Sequence, residues 1–268
     1  GAWFSTQNNA VVLNGEMVTD KVVIVPRYGV QIAGVDVTAL NCNDLSVIDG
    51  VDGKMSYDPE TNTLTMEDVT INGSYINGIV NRSVEGMKIK LVGNNTITTN
   101  EACITILQPS TISGSGTLRL KTPYDCGLYL HTSLSVEGVK LYVEGKYGVA
   151  GVDGKIGEIL TLRNAYVEAT GSSGSICDLQ NLILDGCTIT QPEGAAFDGA
   201  LHAVALNGEV VTDKVVIEPD ASGISDITTD VPAHAKGIYS VTGVKQTQQW
   251  NELPAGIYIV DGVKRVKR

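Results

Sequence analysis

Short stretches in which apolar and polar residues alternate recur along the chain in one shared frame. They are LTMEDVTI (64–71), LSVEGVKL (134–141), LTLRNAYV (160–167) and LILDGCTI (182–189), with looser versions at IKLVGNNTI (89–97) and STISGSGTL (110–118). A period of two is the signature of a strand with one buried face. In the middle of each stretch the alternation breaks at Asp, Asn or Gly, residues that tolerate the backbone angles of a bend. Each stretch therefore predicts strand, corner, strand.

Successive stretches begin 21 to 26 residues apart, and a second signal keeps step with them: a small residue followed by an aliphatic one at Gly78–Ile79, Cys103–Ile104, Gly127–Leu128, Gly148–Val149 and Ser175–Ile176. Two signals in one frame define a coil. A coil of about 22 residues cannot bury its own inward side chains, but coils stacked about 4.8 Å apart hydrogen-bond to one another and build a continuous column of Leu, Ile and Val. The predicted fold class is all-β: a right-handed, single-stranded parallel β-helix of about six coils over residues 27–193. No segment shows a sustained helical period.

Stacked strands leave open ends that template aggregation unless they are covered. The segments flanking the coils are the predicted covers. GAWFSTQNNAVVLNGEMVTDKVVIVP (1–26) returns as GAAFDGALHAVALNGEVVTDKVVIEP (194–219), with 17 of 26 positions identical at an offset of 193. Both copies hold Asn-Gly between apolar alternations, a β-hairpin signal, followed by the strand-forming KVVI. Self-similarity at that spacing marks a tandem array, in which residues 1–26 are the end element of a preceding module and residues 194–219 the end element of this one. Residues 220–236 are polar, contain Gly and Pro, and form the predicted linker. Beyond it, GIYSVTGVK (237–245) and GIYIVDGVK (256–264) agree at seven of nine positions and predict a small β-sandwich over 237–268.

Composition narrows the functions. The formal charge of −11 disfavours a phosphate backbone as partner, so no nucleic acid is expected. No run of eighteen apolar residues occurs, so no transmembrane segment is expected. The five cysteines (Cys42, Cys103, Cys126, Cys177, Cys187) are odd in number and lack CxxC spacing, which leaves buried packing as their reading. Opening on Gly1 rather than Met, the chain is expected to be a trimmed one.

Candidate chemistry is sparse. At the corner position one carboxylate, Asp68, stands among Gly93, Gly114, Gly138, Asn164 and Gly186 rather than beside a second, so the charges there read as a solvated face and no catalytic residue is assigned. Asp49, Asp52, Asp58 and Glu60 are close enough in sequence to suggest calcium but lack the spacing of a dedicated loop, so no metal site or cofactor is assigned. His131, His202 and His234 read as lone surface histidines. Sugar binding needs less: an exposed aromatic face with polar neighbours. Tyr129, Tyr142 and Tyr166 fall on outward positions, and equivalent frames on adjacent coils set Lys140 beside Tyr166 and Tyr142 beside Glu168. These five residues are the predicted glycan patch.

Two resemblances add expectations. The tail, with LPAGIYIVDGVKRVKR and its Pro254, Gly256, Ile257 and Tyr258, resembles the C-terminal sorting domain of proteins exported by the Bacteroidetes Por (type nine) secretion system. That likeness implies export across the outer membrane and retention at the cell surface. YGVQIAGVDVT, SYDPETNTLTMEDVTI and MKIKLVGNNTI resemble modules of large secreted or surface-attached bacterial β-helix proteins described as adhesin-like or carbohydrate-binding. The expected function is a non-enzymatic, exported surface module that binds a polysaccharide, a glycoconjugate or another surface protein. A polysaccharide lyase or glycoside hydrolase of β-helix type and a structural spacer are the alternatives.

Overall fold

Six corners set the path of the chain. Asp68, Gly93, Gly114, Gly138, Asn164 and Gly186 all take positive φ, from 45° to 125°, the region that Gly, Asn and Asp enter at least cost. Turned there, each alternating stretch becomes two strands on adjacent faces of a coil. The structure is a computed structural model that describes residues 2–73, 76–220, 237–240, 243–261 and 263–267. They divide into two units, Gly1–Asp220 and Ala221–Arg268.

The first unit is a parallel β-solenoid with three columns of strands. Residues 63–67 of Thr63–Gly73 open the first column, followed by Met87–Val92, Ser110–Gly114, Leu134–Glu137, Ile159–Arg163 and Asn181–Asp185, each parallel to the last. Six strands stacked this way bound about five turns, one fewer than the number of motif copies. The second column holds residues 68–73, Asn94–Thr99, Thr117–Lys121, residues 140–145 and residues 166–171. The third holds Ile79–Asn81, Ile104–Ile106 and Cys126–Leu130, then the far halves of the long strands Lys140–Gly151 and Tyr166–Cys177.

Inward residues of the three columns meet in one core. Ile89, Leu91, Leu160 and Leu162 come from the first column, Ile97, Leu118, Leu141 and Val167 from the second, and Ile79, Ile104, Leu128, Val149 and Ile176 from the third, all fully buried. A polar exception is satisfied at the corner. Buried Asn95 accepts from the Val69 N–H with Oδ1 at 3.0 Å, and its Nδ2 donates to the carbonyls of Val92 at 3.1 Å and Thr117 at 3.4 Å. The five cysteines are free and buried. His131 and His202 are half-buried rather than on the open surface: His131 meets Tyr129 edge-on, and His202 Nδ1 lies 3.2 Å from the Leu179 carbonyl. His234 lies outside the described residues.

The two ends differ from a plain stack. The parallel ladder begins at Thr63 rather than at residue 27: Val51–Asp58 runs antiparallel along Thr63–Gly73, and Arg27–Ile32 antiparallel along Ile79–Asn81. Reversed strands use up the edge that a parallel stack would leave open. At the other end, Val215–Pro219 enters antiparallel between residues 167–169 of the second column and Cys187–Gln191. Its Val215 and Ile217 are fully buried. The hairpin before it, Ala203–Leu206 with Glu209–Val210, turns through Asn207 and Gly208, both at positive φ.

In the second unit the described residues form one antiparallel sheet in which Ile238–Ser240 lies between Lys245–Gln246 and Gly256–Val260, and Val263–Lys267 completes the far edge. The expected sandwich is thus represented by a single layer. Tyr258 Oη donates to the Pro254 carbonyl at 3.1 Å and its ring meets Trp250 edge-on at 5.9 Å. The linker prediction, residues 220–236, falls almost wholly outside the described residues.

Candidate functional site

Because side chains of a strand alternate between faces, the outward positions of the second column stand in ladders that climb from turn to turn. One ladder runs Thr96, Arg119, Tyr142, Glu168; the next runs Thr98, Lys121, Glu144, Thr170; a third sets Lys140 beside Tyr166. The neighbours expected from the shared frame, Lys140 with Tyr166 and Tyr142 with Glu168, are paired in this register. Residues of the first two ladders line a shallow cleft of about 400 Å³.

The side chains in the cleft hold one another. The Arg119 guanidinium lies over the Tyr142 ring, 4.0 Å from its centroid, and the rings of Tyr142 and Tyr166 approach to 5.7 Å at a 50° tilt. Tyr166 Oη donates to Glu168 Oε1 at 2.6 Å, and Lys214 Nζ lies 3.3 Å from Glu168 Oε2. Lys121 Nζ is 3.0 Å from both oxygens of Glu144. The result is a strip about four rungs tall in which cations, an aromatic ring and carboxylates follow at rung spacing.

Titration behaviour follows from these contacts. The hydrogen bond to Glu168 pushes the Tyr166 phenol up to about 12, and burial adds to it. The same bond, with the Lys214 ammonium, holds the Glu168 carboxyl below its usual range. Glu168 is therefore anionic near neutral pH and cannot donate a proton as a general acid would. Burial raises Cys103 to about 11 and drives Cys126 and Cys177 higher, so each remains a thiol.

Of the five predicted patch residues, Lys140, Tyr142, Tyr166 and Glu168 come together. Tyr129 does not join them. It sits in the third column beside a different cleft of about 380 Å³ that Asp125, Tyr147 and Asp178 also line. Its outward direction was legible, but the choice of column depends on which half of the coil it occupies. Arg119, Lys121, Glu144 and Lys214 were missed. Extending the register of GTLRLK (116–121) by one turn would have set Arg119 beside Tyr142 and Lys121 beside Glu144. Lys214 had no such signal, since it arrives on the inserted antiparallel strand.

Of the suggested calcium ligands, Asp58 is engaged locally: it accepts from the Glu60 N–H at 2.9 Å and from Thr61 Oγ1 at 2.7 Å, which closes the turn after its strand. Among the described residues no group of three or more His, Cys, Asp or Glu side chains is gathered for a metal ion, and no helix is long and apolar enough to cross a membrane. Comparison with protein-family models, with curated proteins and with solved structures returns no significant match, so the reading of the site rests on its own geometry.

Proposed function

We propose that the chain is a non-enzymatic module of an exported surface protein, and that the outer face of its second column binds a polysaccharide or glycoconjugate. The observation that carries this is the cleft around Tyr142, where an aromatic ring is flanked by Arg119 and Glu168 in one ladder and by Lys121 and Glu144 in the next. Sugar recognition uses such a mixture: a ring to cover apolar C–H surface and fixed charged groups to order the hydroxyls. The groups are preorganised by their own pairing, so little side-chain entropy is lost when a ligand arrives. An extended polymer lying along the ladder would meet Thr96, Arg119, Tyr142 and Glu168 in turn, a different partner at each rung.

The tail's likeness to a sorting domain supports a place at the cell surface, where such polymers occur. The hydrolase reading has less support, because the anionic state of Glu168 removes a general acid from this cleft. The deciding experiment is a glycan array with the intact chain, followed by product analysis on each hit. Retention of a glycan, reduced on the order of tenfold by Tyr142→Ala, a loss of about 1.4 kcal/mol, is the expected outcome. Retention unchanged in Tyr142→Ala and Tyr166→Ala removes the patch, and shortened products establish an enzyme instead.

A further inference from the structure

The two copies of the end element have the same local fold and opposite fates. Trp3–Ser5, Ala10–Leu13 and Glu16–Met17 pair as Ala196–Asp198, Ala203–Leu206 and Glu209–Val210 do, residue for residue at the offset of 193. The hairpin turns match as well, Asn14 and Gly15 repeating the positive φ of Asn207 and Gly208. The following segment, Thr19 to Ile24, is identical in sequence to Thr212 to Ile217. Yet Val215, Val216 and Ile217 are 0%, 4% and 0% exposed inside the sheet, whereas Val22, Val23 and Ile24 are 42%, 59% and 88% exposed and lie in no strand.

The sequence of this segment cannot explain the difference, because it is the same in both copies. What differs is the presence of a solenoid end. The second copy is seated on one: Val215–Pro219 pairs on both sides, the Ser175 N–H donates to the Val211 carbonyl at 2.9 Å, and Ser175 Oγ donates to the Asp213 carbonyl at 2.6 Å. The corresponding carbonyls of the first copy belong to Val18 and Asp20. Three consecutive exposed aliphatic residues of strong β propensity are costly to leave in water. They also constitute a pairing hazard.

We propose that residues 1–26 are a docking element whose occupant is the last turn of another solenoid module of this kind, lying upstream in the same polypeptide, with Val22–Ile24 entering antiparallel as Val215–Ile217 does in the second copy. A second copy of this chain is the weaker occupant, because its slot is already filled by its own Val215–Pro219, tethered at high effective concentration. The arrangement leaves only Val25 and Pro26 between the inserted segment and Arg27–Ile32, the antiparallel strand that closes the start of the next solenoid. Neighbouring modules would then be joined through shared strand pairing with almost no linker. This inference concerns the solenoid ends and is independent of the glycan face.

The test is a tandem polypeptide in which residues 27–193 precede the intact chain, so that residues 1–26 follow an uncovered solenoid end. Hydrogen exchange is read at Val22–Ile24 against Val215–Ile217 as the internal standard. Exchange at Val22–Ile24 slowed by a hundredfold or more relative to the chain alone, and restored to the fast rate by Val22→Asp with Ile24→Asp, supports the proposal. The same pair of changes in the chain alone leaves its melting midpoint unmoved, which shows that they act through docking. Fast exchange in the tandem polypeptide overturns the proposal, whether the upstream solenoid is folded or has melted for want of a cover. Self-association of the chain alone that the Asp pair abolishes overturns it in favour of strand exchange between copies.

Discussion

At the scale of single residues, the corners and the Tyr166–Glu168 pair make opposite demands. Gly138 takes φ 66° with open space around its missing Cβ, so only backbone strain opposes a side chain there. Gly138→Ala is expected to cost about 1–2 kcal/mol, read from chemical unfolding. Gly93 sits at the same φ, but its Cβ would strike the Asp68 carboxylate, which accepts from the Asn94 N–H at 2.7 Å. Gly93→Ala should therefore be the more damaging, at about 2–4 kcal/mol, since a hydrogen bond is lost as well. Equal effects at the two sites would show that the carboxylate gives way freely. The pair titrates with a definite sign. The folded pKa of Glu168 lies below its unfolded value near 4.5, so its contribution to stability is full above that pH and fades as pH falls through the folded value. For Tyr166 the folded value is raised, so its contribution is present below pH 10 and fades as pH climbs towards about 12. One hydrogen bond is being read from both ends. Glu168→Gln removes the anion, and the Tyr166 resonance in a tyrosine-labelled NMR titration should then move back towards pH 10; no change would mean that burial dominates.

At the scale of elements, what a neighbour in sequence determines was legible and what a distant segment determines was not. The rungs, their corners and the third column follow from alternation, from Asp, Asn or Gly at the bend, and from the small residue before each third-column aliphatic. Gly78 shows why that residue is small: a Cβ there would lie 2.5 Å from the Cys103 carbonyl oxygen on the next turn. The inserted strand was recognisable as a strand, but nothing in KVVI says that it parts residues 166–171 from Cys187–Gln191, because its partners are chosen after the coils have stacked. The reversal of Val51–Asp58 was hidden for the same reason, since alternation is identical in parallel and antiparallel strands. The inserted strand is nonetheless a structural necessity. Ile217 is fully buried between two partners, so Ile217→Ala is expected to lower stability by about 2–5 kcal/mol. Ile24→Ala, the same change in the exposed copy, should move the unfolding midpoint of the chain very little. Similar losses at the two positions would mean that the first copy is already paired in solution.

At the scale of the molecule, a solenoid is governed by its ends more than by its middle. Each turn is held by the turns on either side, so interior losses are shared, whereas the terminal turn has one neighbour and depends on its cover. In this chain the cover also carries Lys214 to Glu168, so closing the end and charging the site are done by one segment. This coupling makes a prediction that separates the two roles. Lys214→Met keeps the aliphatic stem and removes the ammonium; the end should stay closed, with the amides of residues 215–217 protected, while the Glu168 carboxyl titrates closer to its usual range and affinity for an anionic glycan falls. Val215→Asp with Ile217→Asp should act the other way round: a charge forced into the sheet expels the strand, bares the edges at residues 167–169 and Cys187–Gln191, and drives concentration-dependent association visible by sedimentation. A monomer that retains protection at residues 167–169 after that double change would show that the last turn closes without its cover, and the dependence of the terminal turn on the inserted strand would fail with it.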